Sequence, residues 1–385
     1  MGLRVVFHPG PSFDDYTIHL VNALAQYDTL TVGLALDHGQ IARFHDVLDT
    51  RVHLLPYRRP RRRHVWGVYE MQRLARAIRR FQAHIFHYQG FGLWESVLVR
   101  FLRGVTVVNT VHDPVNHIDY RTWLNETLLR DAVRTAHGWV VHSRGMALLL
   151  QQEHPTVVPE WVCIHPFGPF TYYRQRLSTP PPEEREILFF GRPRRNKGID
   201  VLLQAFIQVA PHLPGWQLVL AGHGEIPKEA RPFYQHLKRE GRLRHIKAFL
   251  PDAEVARVFR RAAFVVLPYR HGTQSGILAV AAALERAVLA TPVGALPEFV
   301  QHGREVFFVP PEDGPALAAG LRTLAQNPAL RQRLAAQLAR TARHRWAWSK
   351  AAAALIDFYT RLLTGADTTP TGAPTIDSSP PADAT

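Results

Sequence analysis

Residues 186–206 read EILFFGRPRRNKGIDVLLQAF. Ile187 to Phe190 form an unbroken apolar run, the pattern of a strand buried on both faces of a parallel sheet. The run stops at Gly191, and a short loop then carries Arg192, Arg194, Arg195 and Lys197. Gly198 opens a segment that places Ile199, Leu202, Leu203, Phe206 and Val209 on one helical face. Cations, a glycine-permitted backbone and the unpaired amides of a helix start, joined at one strand-to-helix turn, make a diphosphate site. The spacing fits neither a P-loop, which ends in Lys-Ser/Thr, nor a G-x-G-x-x-G dinucleotide turn.

The same alternation extends outward on both sides. Residues 1–178 hold the candidate strands LRVVFH, LTVGLAL, VHLLPY, HIFHYQ, VTVVNTVH, GWVVHS and WVCIHPF, with helical spacing at Ile18, Leu20, Val21, Leu24 and Ala25 between the first two. Residues 179–185, prolines followed by charge, read as a linker. In residues 186–342 the strands EILFFG, WQLVLAG, FVVLPY, AVLAT and VFFVPP alternate with helices. The pattern predicts an α/β protein of two Rossmann-like domains, with ligands beyond the carboxyl ends of the strands. Residues 343–363, RHRWAWSKAAAALIDFYTRLL, read as an amphipathic helix, and 364–385, rich in Thr, Pro, Ala and Ser, as a disordered tail.

Lys and Arg number 46 against 32 Asp and Glu in 385 residues, a net charge of +14 that favours polyanionic partners. No helix-turn-helix, RRM or zinc module accompanies it, so nucleic acid is not the expected partner. The densest basic block is Arg58, Arg59, Arg61, Arg62 and Arg63, followed by His64, Val65 and Trp66, a mixture suited either to an anionic membrane surface or to a solvated loop. No apolar run is long enough to span a bilayer and no signal-peptide pattern opens the chain, so the expected location is the cytoplasm. The single cysteine, Cys163, sits in an apolar strand and excludes a disulfide framework within the chain. His pairs such as those in HIFHY lack an HExxH or carboxylate partner, and no catalytic metal is expected.

The strand followed by G-R-x-x-x-x-K-G and an amphipathic helix resembles the donor domain of the GT-B retaining glycosyltransferases of the glycogen synthase-like family four. LVLAGHGE at 218–225, IKAFLPDAEVARVFRRAAFVVLPY at 246–269 and TPVGALPEFVQHGREVFFVPPED at 291–313 fall in the family's order. The resemblance implies a nucleoside diphosphate sugar as co-substrate, a saccharide or lipid-linked acceptor, retained anomeric configuration, no essential metal, and a carboxyl-terminal helix that crosses back to the first domain. Arg192 and Lys197 match the pair that holds the donor diphosphate, and His112, in VVNTVHDPVNH, matches a histidine that faces the donor sugar. Lys247, Ala248, Phe249 and Leu250 correspond to the segment on which the nucleobase rests. Gly10 lies where relatives bring a glycine-rich loop to the donor, and Gly222 and Gly224 end a strand at the same cleft. Asp14, Tyr16 and Asp113 are candidates for the acceptor, with Asp14 equally suited to capping a helix.

HGTQSGILAVAAAL at 271–284 departs from the family. Most relatives carry two glutamates there, E-x7-E, the first near the sugar and the second on the ribose. Aligned without gaps through LATPVGALPE, these positions fall on Gly272 and Val280. Either the chain is a sugar-nucleotide or polysaccharide binder that has lost catalysis, or it keeps the chemistry with other contacts. T-Q-S-G resembles a subgroup with that replacement, which implies that Thr273, Gln274 and Ser275 supply neutral hydrogen bonds while the amides of Ser275, Gly276 and Ile277 cap the phosphates.

Overall fold

The computed structural model describes residues 2–10, 13–115, 122–177, 183–272 and 275–365. The linker residues 179–182, Thr273, Gln274 and the segment 366–385 therefore lie outside the described residues.

The strands are β1 Leu3–His8, β2 Leu30–Asp37, β3 His53–Tyr57, β4 Ile85–Gln89, β5 Thr106–Thr110, β6 Gly138–Val141, β7 Val162–Ile164, β8 Glu186–Phe190, β9 Gln217–Ala221, β10 Leu243–Ile246, β11 Phe264–Leu267, β12 Ala287–Ala290 and β13 Phe307–Phe308. They form two sheets, β3-β2-β1-β4-β5-β6-β7 and β10-β9-β8-β11-β12-β13. Every pairing is parallel. The helices are α1 Asp14–Leu24, α2 His38–Phe44, α3 Gly67–Arg80, α4 Leu93–Arg100, α5 Trp123–Thr135, α6 Arg144–Glu153, α7 Tyr172–Gln175, α8 Ile199–Val209, α9 Arg231–Arg239, α10 Asp252–Arg261, α11 Gly276–Ala283, α12 Leu296–Phe299, α13 Gly314–Gln326, α14 Pro328–Arg345 and α15 Trp348–Thr364.

Strand order reverses beside β1 in one sheet and beside β8 in the other, and such switch points are where open α/β sheets hold ligands. Central strands are apolar on both faces: Ile187, Leu188 and Phe189 of β8 are at most 1% exposed. Strand β10 was not evident in the sequence because LRHI is an edge segment, half-buried beyond Leu243, and edges do not require an apolar run.

The expected helix over 343–363 is two helices. α14 continues to Arg345, Trp346 packs edge-on against Phe299, and Ala347 turns extended before α15 begins at Trp348. Anchoring the Trp346 indole between the domains breaks the helix axis. α15 then packs on α1, and Tyr359 Oη meets His87 Nδ1 of β4 at 2.5 Å. Burying Phe358 and Tyr359 fully in this way is worth roughly 1.5–3 kcal/mol for each ring. The crossing is held by Trp348, whose Nε1–H donates to Pro169 O at 2.9 Å and whose ring fills the space that a side chain at Gly168 would need. Cys163 is buried in β7, where burial pushes its thiol up to about 12.

Candidate active site

The second-domain site is built from the loops that leave β8, β9 and β11. The β8 loop ends in a 3-10 turn, Arg195–Lys197, and Gly198 in the left-handed region (φ 63°) redirects the chain into α8. A Cβ at Gly198 would lie 1.9 Å from Pro268 O, so only glycine lets the β8 and β11 loops touch. Lys197 Nζ stands 3.7 Å from the centre of the Tyr269 ring, a cation–π contact that holds the ammonium over that ring. Arg192 is exposed, and its Nη2–H donates to His223 Nε2 on the β9 loop.

Helix α11 starts beside Tyr269, the ring that carries the Lys197 ammonium. Ser275 is its N-cap and makes no side-chain cap, so the first amides are not closed off by their own hydroxyl. Ser275, Gly276 and Ile277 are half-buried, and Tyr269 Oη lies 3.4 Å from Ser275 Oγ. Val280 is 4% exposed and packed in the core, so a carboxylate there would be buried without a partner. Helix packing thus accounts for the apolar residue at position 280. Phe249 is 75% exposed with its ring 6.1 Å from that of His223, on the rim beside Arg192. Leu250 is half-buried and packs against the core cluster. Gly222 also differs from expectation: a Cβ there would lie 2.4 Å from Gly191 O, so its missing side chain admits the chain's own backbone rather than a ligand.

The first-domain wall follows β1 and β5. Gly10 (φ 64°) brings the β1 loop onto β4, where a Cβ would lie 2.5 Å from Gln89 O. Asp14 is the first residue of α1 and caps nothing; its carboxylate accepts from Gln40 Nε2 at 2.6 Å, and burial raises its pKa. His112 stands at the carboxyl end of β5, beside the half-buried Asp113, but both its nitrogens are engaged. Nε2 lies 3.0 Å from Gln89 Oε1 and Nδ1 lies 3.0 Å from His142 Nε2, while Phe13 stacks on its face at 3.6 Å. Burial pulls its pKa down to about 3, against the pull of Asp113, and the ring is neutral at pH 7. Tyr16, expected at an acceptor, is 1% exposed and its hydroxyl meets His165 Nε2 at 2.8 Å, so it belongs to the core.

The two walls face each other. Arg43 of the first domain reaches Asp252 of the second at 2.7 Å, and Glu298 of the second accepts the backbone N–H groups of Arg144 and Gly145 at the start of α6. His223, Tyr269, Arg270 and Glu298 are residues that the sequence reading did not single out; the first three follow strand ends, whereas Glu298 sits on α12 with no local signal. Among the described residues no group of three or more His, Cys, Asp or Glu could hold a metal ion, and no helix is long and apolar enough to cross a membrane.

The basic block divides. Arg58, Arg61, Arg62 and Arg63 are exposed beside Val65 (90% exposed), Trp66 and Tyr69, and Arg58 lies over the Trp66 ring. Arg59 instead turns inward to Glu95 Oε1 at 2.5 Å, because that carboxylate is 5% exposed and requires a counter-charge.

Residues 184–327 match the family model described as glycosyl transferases group 1. Over 196 residues the chain is 33% identical to the phosphatidyl-myo-inositol mannosyltransferase of Mycobacterium tuberculosis, an overlap of 48% of this chain and 49% of the relative. It is 34% identical over 216 residues to the D-inositol 3-phosphate glycosyltransferase of Xylanimonas cellulosilytica, 53% of this chain and 50% of the relative. The chain therefore spans about half the length of the curated relatives it matches. Among solved structures, sucrose-phosphate synthase of Thermosynechococcus elongatus superposes with a TM-score of 0.68 at 17% identity, over 94% of this chain and 100% of that one. Anabaena Alr3699/HepE in complex with UDP and glucose gives 0.68 at 15% identity, over 93% and 99%. These likenesses show the fold, two Rossmann-like domains in the GT-B arrangement.

Proposed function

We propose that this chain is a retaining glycosyltransferase that moves a sugar from a nucleoside diphosphate donor to a saccharide or glycolipid acceptor. What supports the proposal most is that the loop carrying Arg192 and Lys197 follows β8, that α11 follows the neighbouring strand β11, and that Tyr269 touches both Lys197 and Ser275. The cations and helix amides stabilise the charge that grows on the diphosphate as the bond from the anomeric carbon to the phosphate oxygen breaks. The acceptor oxygen attacks from the same face, and its proton passes to the leaving phosphate oxygen, so no enzyme nucleophile is needed. Phe249 serves the nucleobase from the rim, and Thr273, Gln274 and Ser275 bond the donor in place of carboxylates. His112, neutral and held by its partners, together with Gly10, Asp14 and Asp113 shapes the first-domain wall.

The setting we propose is polysaccharide or glycolipid assembly on the cytoplasmic membrane face, with Arg58, Arg61, Arg62, Arg63 and Trp66 as the docking surface. The test is a thermal-shift panel of nucleoside diphosphate sugars, with product configuration read by NMR. The expected result is a shift with one donor, lost in Arg192→Ala and Lys197→Ala, and retained configuration in the product. A shift without turnover on any acceptor favours the non-catalytic binder, and no shift with any donor overturns the reading.

A further inference from the structure

Three successive residues after β11 each grip a different part of the turn at 195–200. Pro268 packs against Gly198, and Tyr269 lies under the Lys197 ammonium. The Arg270 backbone N–H donates to Asn196 O at 2.9 Å. Its side chain then closes the turn: Nη1 donates to Arg195 O at 2.8 Å, Nη1 and Nη2 donate to the two Asp200 carboxylate oxygens at 2.7 Å each, and Nε donates to Glu312 Oε1 at 2.8 Å.

The guanidinium has five N–H groups, and this arrangement uses four of them inside the protein. Arg270 therefore differs from Arg192, which is exposed at the strand ends. Its partners Arg195, Asn196 and Asp200 bracket Lys197 on both sides in sequence. A bidentate, planar fork fixes orientation as well as distance, which a lysine at the same place cannot do.

We propose that Arg270 is a positioning residue for the donor diphosphate: it ties the Lys197 turn to the strand end from which α11 departs, so that both halves of the site address the same phosphates. The inference rests on the donor-site reading above. With Arg270 removed, the turn loses the side-chain anchor that joins Arg195 O and the Asp200 carboxylate to the strand end, and Lys197 is no longer held in register with α11.

The test is a double-mutant cycle on the full chain, read as the dissociation constants of UDP and GDP by calorimetry. Arg270→Ala is expected to weaken nucleoside diphosphate binding about tenfold when Lys197 is present and less than about twofold in the Lys197→Ala background, a coupling typical of one hydrogen-bond network. Arg270→Lys should restore only part of the loss. Asp200→Asn, which keeps the shape of the turn and removes its charge, guards against a variant that fails to fold and is expected to weaken binding as well. Equal losses in both Lys197 backgrounds, or tighter binding by Asp200→Asn, would overturn the inference, the latter by showing that a released Arg270 contacts phosphate directly. If neither nucleotide binds the wild-type protein, the donor-site reading falls and this inference with it; if wild type binds and Arg270→Ala binds equally well, this inference alone falls.

Discussion

The Glu298 carboxylate accepts the Gly145 backbone N–H at 2.9 Å, and a Cβ at Gly145 would lie 3.0 Å from the same carboxylate oxygen. A side chain from one domain thus caps the first turn of a helix in the other, and the helix has a glycine where the carboxylate arrives. Glu298→Ala should destabilise the closed arrangement by about 1–2 kcal/mol, the usual worth of a charged group at a helix N-terminus. Small-angle scattering should give it a larger radius of gyration than wild type. Gly145→Ala supplies the control: in the Glu298→Ala background the better helix former should raise stability by up to about 1 kcal/mol, whereas in wild type the gain should vanish. Equal gains in both backgrounds would mean that the contact carries nothing.

Gly198→Ala should be among the most damaging single changes in the second domain. The left-handed conformation alone costs a non-glycine residue about 1–2 kcal/mol. The 1.9 Å approach of a Cβ to Pro268 O adds a clash with backbone that cannot move without parting the β8 and β11 loops. The expected outcome is a clear fall in melting temperature together with loss of nucleoside diphosphate binding. A variant that melts and binds like wild type would contradict this account of the turn.

Stability should fall steeply on mild acidification. His8, His19, His87, His112, His142 and His165 are buried, and burial lowers the pKa of each, to about 4 for His8 and His165 and to about 3 for His112. In the unfolded chain they titrate near 6.5, so below that pH the unfolded state binds more protons. Their contribution is fully present above pH 6.5 and drains away as pH falls toward 4 and 3. For His8, His112 and His165 the cost is about 1.4 kcal/mol per pH unit each in that window, and His19, His87 and His142 act in the same direction. Melting curves by circular dichroism at pH 8, 7, 6 and 5 should show little change over the first interval and a large drop over the last. A flat profile down to pH 5 would refute it.

Replacing Arg58, Arg61, Arg62 and Arg63 by Ser should lower the partition constant onto phosphatidylglycerol vesicles, read by sedimentation, by nearly three orders of magnitude, since each basic residue near an anionic surface is worth about 1 kcal/mol. Binding unaltered by the four changes would remove the proposed docking surface. Arg59→Ser should behave differently: it leaves Glu95 buried without its partner, and the expected effect is on folding stability, with vesicle binding of the folded fraction preserved.

Much of the fold was legible because buried parallel strands demand consecutive apolar residues. All seven strands of the first sheet fall within segments readable as strands, β3 by its Leu54, Leu55 and Tyr57 and the rest by richer apolar runs, whereas β10, at an edge, carries no such signature. The basic loop after β8 was legible for a similar reason, since its cations and glycines are adjacent in the chain. The packing partners of Tyr16 were not, because His165 lies 149 residues away and nothing near Tyr16 announces it.

By itself, the sequence determined the two-domain α/β alternation, the Arg192–Lys197 turn, and a 271–284 segment without a carboxylate. These are local properties, set by hydrophobic period and by residues within one strand-turn-helix unit. Only the tertiary structure decided that Arg59 turns inward, that Gly222 makes room for Gly191, that both nitrogens of His112 are taken, and that Glu298 closes α6 across the cleft. Those outcomes depend on which polar groups must find partners once two sheets have been brought together, and a buried donor or acceptor is satisfied by whatever the fold places within about 3 Å of it.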